Sequence, residues 1–333
     1  MTILLLLILL IAAGPARLLS QNAPDSVQRS ITRMLDSAAR ARQFSGVIVL
    51  AHNGTVAWHG EYGFADREHR VPNVPSTRFN ISSVGKLFTQ TAIAQLMAEG
   101  KIDPRAAVGK YRPDYPNKDV ANHVTIAMLL THRSGVQSDV LQPSRLATLN
   151  SNRDYFAEMA KDAPVFTPGT EQRYSNAGFV LLGAIIEALS GEDYYRYVST
   201  HIFAPAGMAV TAFDQLDSVR AGTAVGSTRY LDPVGEHRRA AEEANTRGAV
   251  QPHRGSAAGG EFSSAEDLLR FLAARREGRI PDVNARGPAR MLGGSPGANA
   301  VVFEDFRPGY DLILANIDPP AASDLLDLVQ PTH

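Results

Sequence analysis

The sequence predicts an α+β fold, an α/β sandwich in which one antiparallel sheet is built from both ends of the chain and flanked by helices. Three observations predict it. β-Branched and apolar runs occur at residues 46–62 and again at residues 300–316. Between them the apolar spacing is helical, with Pro and Gly breaks separating the segments. No internal repeat or low-complexity tract interrupts this order, so one sheet carrying a mainly helical insertion is the simplest architecture. With 333 residues, 44% of them hydrophobic, the chain can bury a large core without a disulfide or metal staple. The absence of cysteine excludes disulfide frameworks, Cys-zinc sites, Fe–S clusters and a thiol nucleophile. A formal net charge of −1 without basic runs gives no support to nucleic acid or an anionic membrane as partner.

In chain order, the first segment is an almost purely aliphatic stretch broken at Gly14-Pro15. Its length, about 11 residues, is too short to span a bilayer, which needs roughly 20. It suits the apolar core of a secretory signal at residues 1–20, although no Lys or Arg precedes it. The mature chain is then expected to be periplasmic or secreted, with no stable membrane span after cleavage. Residues 25–42 read as an amphipathic helix with Val27, Ile31 and Leu35 on one face. Residues 46–51 form a strand, Asn53-Gly54 signals a type I′ hairpin, and residues 55–62 return as a second strand. Residues 64–80 are polar and Pro-punctuated and read as loop. Helices are expected at 82–99, with Gly100 as its stop, and at 124–131, 151–160, 175–190, 193–202 and 263–276. Strands return at 300–303 and 310–316. The expected division is a sheet-containing region at 21–72 and 250–333, with a mainly helical region at 73–249.

Ser83-Val84-Gly85-Lys86 opens the helix expected at 82–99 and is the chain's one S-x-x-K. Residues three apart share a helix face, so a lysine amine there reaches the serine hydroxyl. Serine is a weak nucleophile until a neighbouring base takes its proton, and the helix N-terminus favours the negative charge that develops on its oxygen. The plainer reading is a capping serine beside a solvated lysine. Tyr174-Ser175-Asn176 precedes another apolar helix; a tyrosine hydroxyl can shuttle a proton, and Asn176 can hold substrate and lysine. Tyr115-Pro116-Asn117 has the same spacing but lies in a Pro-flanked turn and reads as structural. Gly293-Gly294-Ser295-Pro296-Gly297 fits the G-x-S-x-G nucleophile elbow, yet Pro296 lacks the N–H that an elbow needs after its serine. A Gly-rich strand entrance is the preferred reading there. The nine histidines show no H-x-x-x-H or H-E-x-x-H spacing, so no metal is expected. His132 reads as a residue that holds its loop by hydrogen bonds. Neither G-x-x-x-x-G-K nor G-x-G-x-x-G occurs, and no cofactor is expected.

In order along the chain, Phe44-Ser45-Gly46-Val47, Arg78-Phe79-Asn80-Ile81-Ser82-Ser83-Val84-Gly85-Lys86, Leu129-Leu130-Thr131-His132-Arg133-Ser134-Gly135, Pro168-Gly169-Thr170 through Tyr174-Ser175-Asn176, Ile202-Phe203-Ala204-Pro205-Ala206-Gly207-Met208 and Ala258-Gly259-Gly260 with Ser263-Ser264-Ala265-Glu266-Asp267-Leu268 resemble the serine β-lactamase and penicillin-binding-protein superfamily. The resemblance is to the branch of class C β-lactamases, D,D-peptidases and carboxylesterases. It implies Ser83 as acylated nucleophile, Lys86 as base or proton relay, Tyr174 as second proton shuttle and Asn176 as a ligand of substrate and lysine. It also implies an oxyanion hole from the N–H of Ser83 and an N–H of the edge strand near Gly293 and Gly294. A small-molecule or peptide-like substrate follows: an ester, a β-lactam or a cell-wall peptide. The family's third motif begins with a Lys or His that is absent here; Met291-Leu292-Gly293 puts methionine at that position, or Arg290 if the register slips by one. The stretch from Ser264 to Met291 is short for the family, so a shortened edge-strand region is expected. Two functions follow: a secreted serine hydrolase acting through an acyl-enzyme, or a catalytically impaired relative serving as a binding or sensing module.

Overall fold

The computed structural model describes residues 25–41, 44–137, 148–160, 162–230, 239–245, 252–281, 287–295 and 297–317. The expected signal segment at 1–20 and Pro296 lie outside them. A five-stranded antiparallel sheet forms the base. Its strands are β1 (Gly46–His52), β2 (Thr55–Tyr62), β3 (Arg290–Ser295), β4 (Ala298–Arg307) and β5 (Tyr310–Asn316), in the order β2-β1-β5-β4-β3. The two ends of the chain meet at its centre, where Gly46 pairs with Asn316 and His52 with Tyr310. Asn53 and Gly54 both have positive φ, 49° and 78°, as a type I′ turn requires.

The sheet is covered on both faces because β1 is apolar from Val47 to Ala51, which separates its side chains between two layers. Ile48 and Leu50 pack with Val301, Leu312 and Leu314 against Ile31 and Leu35 of the helix Asp25–Arg40. Val47, Val49 and Ala51 point the other way, into the main core with Val302, Ile313 and the helix Ala265–Arg276. That core continues through the apolar helices Lys86–Ala98 and Asn176–Ser190, which connect the sheet to the helical part of the chain. Among the described residues no helix is long and apolar enough to cross a membrane.

Three local findings differ from the sequence expectation. The loop expected at 64–80 contains a short ladder, Phe64–Asp66 with Val71–Pro72, and Phe79–Asn80 pairs with Phe262–Ser263. A further helix, Lys118–His123, is capped by Asn117, whose side chain accepts from the N–H groups of Asp119 and Val120. Gly293 and Gly294 lie within a strand rather than at its entrance. Arg-Met-Leu-Gly-Gly-Ser has little β-propensity of its own, and the strand is held by its register on β4, from Ala298–Ser295 to Phe303–Arg290. The stretch expected to be short, between the helix Ala265–Arg276 and the strand Arg290–Ser295, lies in part outside the described residues. No described strand pairs with the outer side of β3.

Candidate active site

Ser83 sits in a 3₁₀ turn, Ser82–Gly85, that runs directly into the helix Lys86–Ala98. Ser82 has φ 48°, a left-handed conformation uncommon outside glycine, asparagine and aspartate. It is fixed there by Asn80, which accepts from the Ser82 N–H, and by a 3.0 Å contact of its hydroxyl with that of Ser295. The turn places the Ser83 N–H at a helix start, where backbone donors have no intrahelical acceptor.

Lys86 follows one turn on, and its whole side chain is buried. The Nζ donates to Ser83 Oγ at 3.2 Å, Asn176 Oδ1 at 2.7 Å and the Ala258 carbonyl at 2.6 Å. It also stands over the rings of Tyr174 and Phe179, 4.8 and 5.4 Å from their centroids. Burial pushes the amine down from 10.5 to about 7, against the opposing pull of the Glu261 carboxylate. As a neutral amine it keeps two donors for Asn176 and Ala258 and turns its lone pair to the Ser83 hydroxyl. The solvated-lysine reading is thereby replaced.

Tyr174 reaches the same oxygen from the other side, its hydroxyl 2.5 Å from Ser83 Oγ. Its position follows from the cap of the next helix. The Ser175 side chain accepts from the Gly178 N–H and donates to the Val136 carbonyl, so Tyr174 lies just before Asn176–Ser190 and Asn176 in its first turn. His132 holds this entry: its Nδ1 accepts from the Ser175 N–H at 3.2 Å, and its ring lies 4.7 Å from that of Tyr174. Burial and the neighbouring Lys86 push its pKa down, which suits an accepting, neutral ring. Tyr174 itself is shifted upward by burial, so it is a phenol at neutral pH.

The edge strand closes the site. A Cβ on Gly293 would overlap the Ile81 carbonyl and stand 2.9 Å from the Ser83 nitrogen, so only glycine lets β3 pass this close. Met291, Gly293 and Ser295 share this face, and Gly294 follows in register opposite Asn299. Arg290 is on the other face. Its guanidinium donates to the Asp305 carbonyl and lies 5.7 Å from the Phe303 ring centroid, so no register slip brings it to the third-motif position. Ser295, the rival nucleophile, ends a strand, and its hydroxyl lies 3.0 Å from that of Ser82. Tyr115 is buried against Phe156, in keeping with the structural reading of its motif.

Two partners of Lys86 were not among the site residues expected from the sequence. The Ala258 carbonyl is a backbone acceptor, which no side-chain pattern reveals. Glu261 is a fully buried acid whose carboxyl abuts Gly85; its signal was a lone charge between Gly260 and the strand pair Phe262–Ser263. A Cβ on Gly85 would overlap that carboxyl. Gly85→Ala is therefore expected to cost about 1–3 kcal/mol as an overpacked site. Thermal unfolding would show it, and a second change, Glu261→Ala, should return most of the loss.

A family model described as Beta-lactamase matches residues 28–319. Among curated proteins, the chain is 32% identical over 170 residues to "Putative penicillin-binding protein PbpX" of Bacillus subtilis (strain 168), covering 51% of this chain and 41% of that one. It is also 32% identical over 182 residues to "Protein flp" of Staphylococcus aureus (strain MW2), covering 54% and 36%. The chain thus matches less than half the length of these relatives. In solved structures the fold is similar to a penicillin binding protein from Bacillus halodurans, with TM-score 0.75, 24% identity and coverage of 89% and 98%. It is similar too to a D-amino acid amidase from Ochrobactrum anthropi SV3, with TM-score 0.75, 23% identity and coverage of 91% and 97%.

Proposed function

The chain belongs to the beta-lactamase family, and from that premise we propose that it is a serine hydrolase working through an acyl-enzyme at Ser83. The observation that carries the reading is the convergence of Lys86 Nζ and Tyr174 Oη on Ser83 Oγ, at 3.2 and 2.5 Å. Neutral Lys86 takes the Ser83 proton as Oγ attacks an ester or amide carbonyl. The N–H groups of Ser83 and Gly294 receive the oxyanion. Tyr174 gives its proton to the departing alcohol or amine and is reprotonated from Lys86. Water then attacks the acyl group, gives its proton back through the same relay, and releases the acid. Asn176 keeps Lys86 aimed throughout.

Met291 supplies no positive charge where the family places Lys or His, which favours neutral esters or amides over substrates anchored by a carboxylate. The apolar segment at 1–20 supports action outside the cytoplasm. Mass spectrometry after treatment with a fluorophosphonate, and separately a penicillin, tests the reading. An adduct on Ser83 is expected; no adduct with either, on a protein that melts cooperatively, overturns it. The altered third motif favours one second reading, a module that acylates without turnover, for which the penicilloyl ester on Ser83 would persist.

A further inference from the structure

The strand pair Phe79–Asn80 with Phe262–Ser263 draws residues 259–262 over the Ser82–Gly85 turn. The Ile81 N–H donates to the Glu261 carbonyl and the Gly260 N–H to the Ser82 carbonyl. This contact carries the Glu261 side chain inward, against Gly85, to a position with no solvent exposure. Apart from the backbone N–H of Glu261 itself, no group is placed to hydrogen-bond either carboxyl oxygen. A carboxylate without such partners is costly to bury unless an opposite charge compensates it. The space it fills exists because residue 85 has no side chain.

The charged and titratable groups around it can be named. Lys86, from the helix that begins at the next residue, is the cation that interacts with it. Tyr194 and Tyr195 face it from the helix Tyr194–Val198. Thr89 donates to the Ala257 carbonyl, so the Tyr194 hydroxyl donates to Thr89 in turn and stays protonated. Tyr195 donates to the Gly255 carbonyl, with the Arg254 guanidinium stacked on its ring. Neither phenol supplies a charge. On the other side, Lys86 meets three neutral acceptors, Ser83, Asn176 and Ala258, none of which compensates an ammonium.

We propose that Glu261 is a positioning residue for the base of the acyl-enzyme reaction: its buried carboxyl is the counter-charge that decides whether Lys86 holds a proton, and so when Ser83 can lose one. The inference rests on the reading of Lys86 as the base. With the carboxylate present, the ammonium is favoured and Ser83 keeps its proton. With the carboxyl neutral, the amine is released at lower pH. The two groups then titrate as a pair, each reporting both steps. Burial works against both charges, pushing the acid up and the amine down, so the two titrate in one overlapping pH range where each responds to the other's charge.

The test follows Lys86 directly by NMR in the full chain, using ¹³Cε-labelled lysine and ¹³Cδ-labelled glutamate across a pH series. In Glu261→Gln and Glu261→Leu the Lys86 midpoint should fall by about one unit, a tenfold change in the amine-to-ammonium ratio. In the unmutated protein the Lys86 and Glu261 signals should show the same two steps, a readout that holds even where neither variant folds. A Lys86 midpoint unchanged in the variants, or single independent steps in the unmutated protein, overturns the proposal. Fluorophosphonate labelling of the same samples separates the two readings. A shifted Lys86 without a Ser83 adduct would sink the acyl-enzyme mechanism and leave the coupling standing. An adduct with an unshifted Lys86 would do the reverse.

Discussion

Ser83→Ala is expected to abolish acylation, and Lys86→Met to slow it by about 10²–10⁴-fold, the usual worth of a positioned base. Only the first removes the attacking atom; Lys86→Met leaves Ser83 in its turn with Tyr174 still 2.5 Å away. Its residual rate is what the tyrosine and the backbone donors achieve alone. The pH dependence has a definite sign. Lys86 must be unprotonated to act, and burial has lowered it to about 7. The acylation rate should therefore rise with pH from about 7 upward, over the two overlapping steps of the Lys86–Glu261 pair, and then level off, and the Lys86→Met protein should lose that limb. Stopped-flow acylation by a neutral activated ester, with release of its alcohol as the signal, between pH 5 and 9 would measure this. A rate that falls as pH rises through that range, or a Lys86→Met rate close to that of the unmutated protein, would remove Lys86 from the role of base. Methionine is suited to the site because it fills similar apolar volume against Tyr174 and Phe179.

The parts of this arrangement that were legible in the sequence are those set by local rules. Asn53-Gly54 gave its hairpin because both positions require positive φ. Ser83 and Lys86 fall three apart on one helical turn, and Ser175 caps the helix that presents Tyr174 and Asn176. The less legible parts depend on long-range packing. The strand Arg290–Ser295 has almost no local preference for its conformation and exists through its pairing with Ala298–Arg307. Glu261 reads locally as a surface acid; its burial follows from the pairing of Phe79–Asn80 with Phe262–Ser263, two segments far apart in the chain. A lone S-x-x-K equally describes a cap and an exposed lysine, and only the acceptors Asn176 and Ala258, brought from distant segments, distinguish the buried amine from that alternative.

Met291→Lys is expected to raise acylation by a carboxylate-bearing substrate, a penicillin, by about one to two decades, leaving a neutral ester nearly unaffected. The position is on the same strand face as Gly293, which touches the Ser82–Gly85 turn, and Met291 is partly exposed. A charge-assisted hydrogen bond to a carboxylate contributes about 1.5–3 kcal/mol, which is about 10- to 100-fold in affinity. Added salt should weaken the gain, because the new ammonium remains partly solvated. Arg290→Ala provides the opposite control. Its guanidinium is engaged with Asp305 and Phe303 on the far face, so its loss should affect anionic and neutral substrates equally. A selective loss with anionic substrates would mean that Arg290 swings across the strand to serve the site. If Met291→Lys leaves both substrates unchanged, the edge strand is too far from the substrate carboxylate for any side chain at 291 to reach it. The proposed preference for uncharged substrates would then rest on the position of the strand and not on the residue it carries.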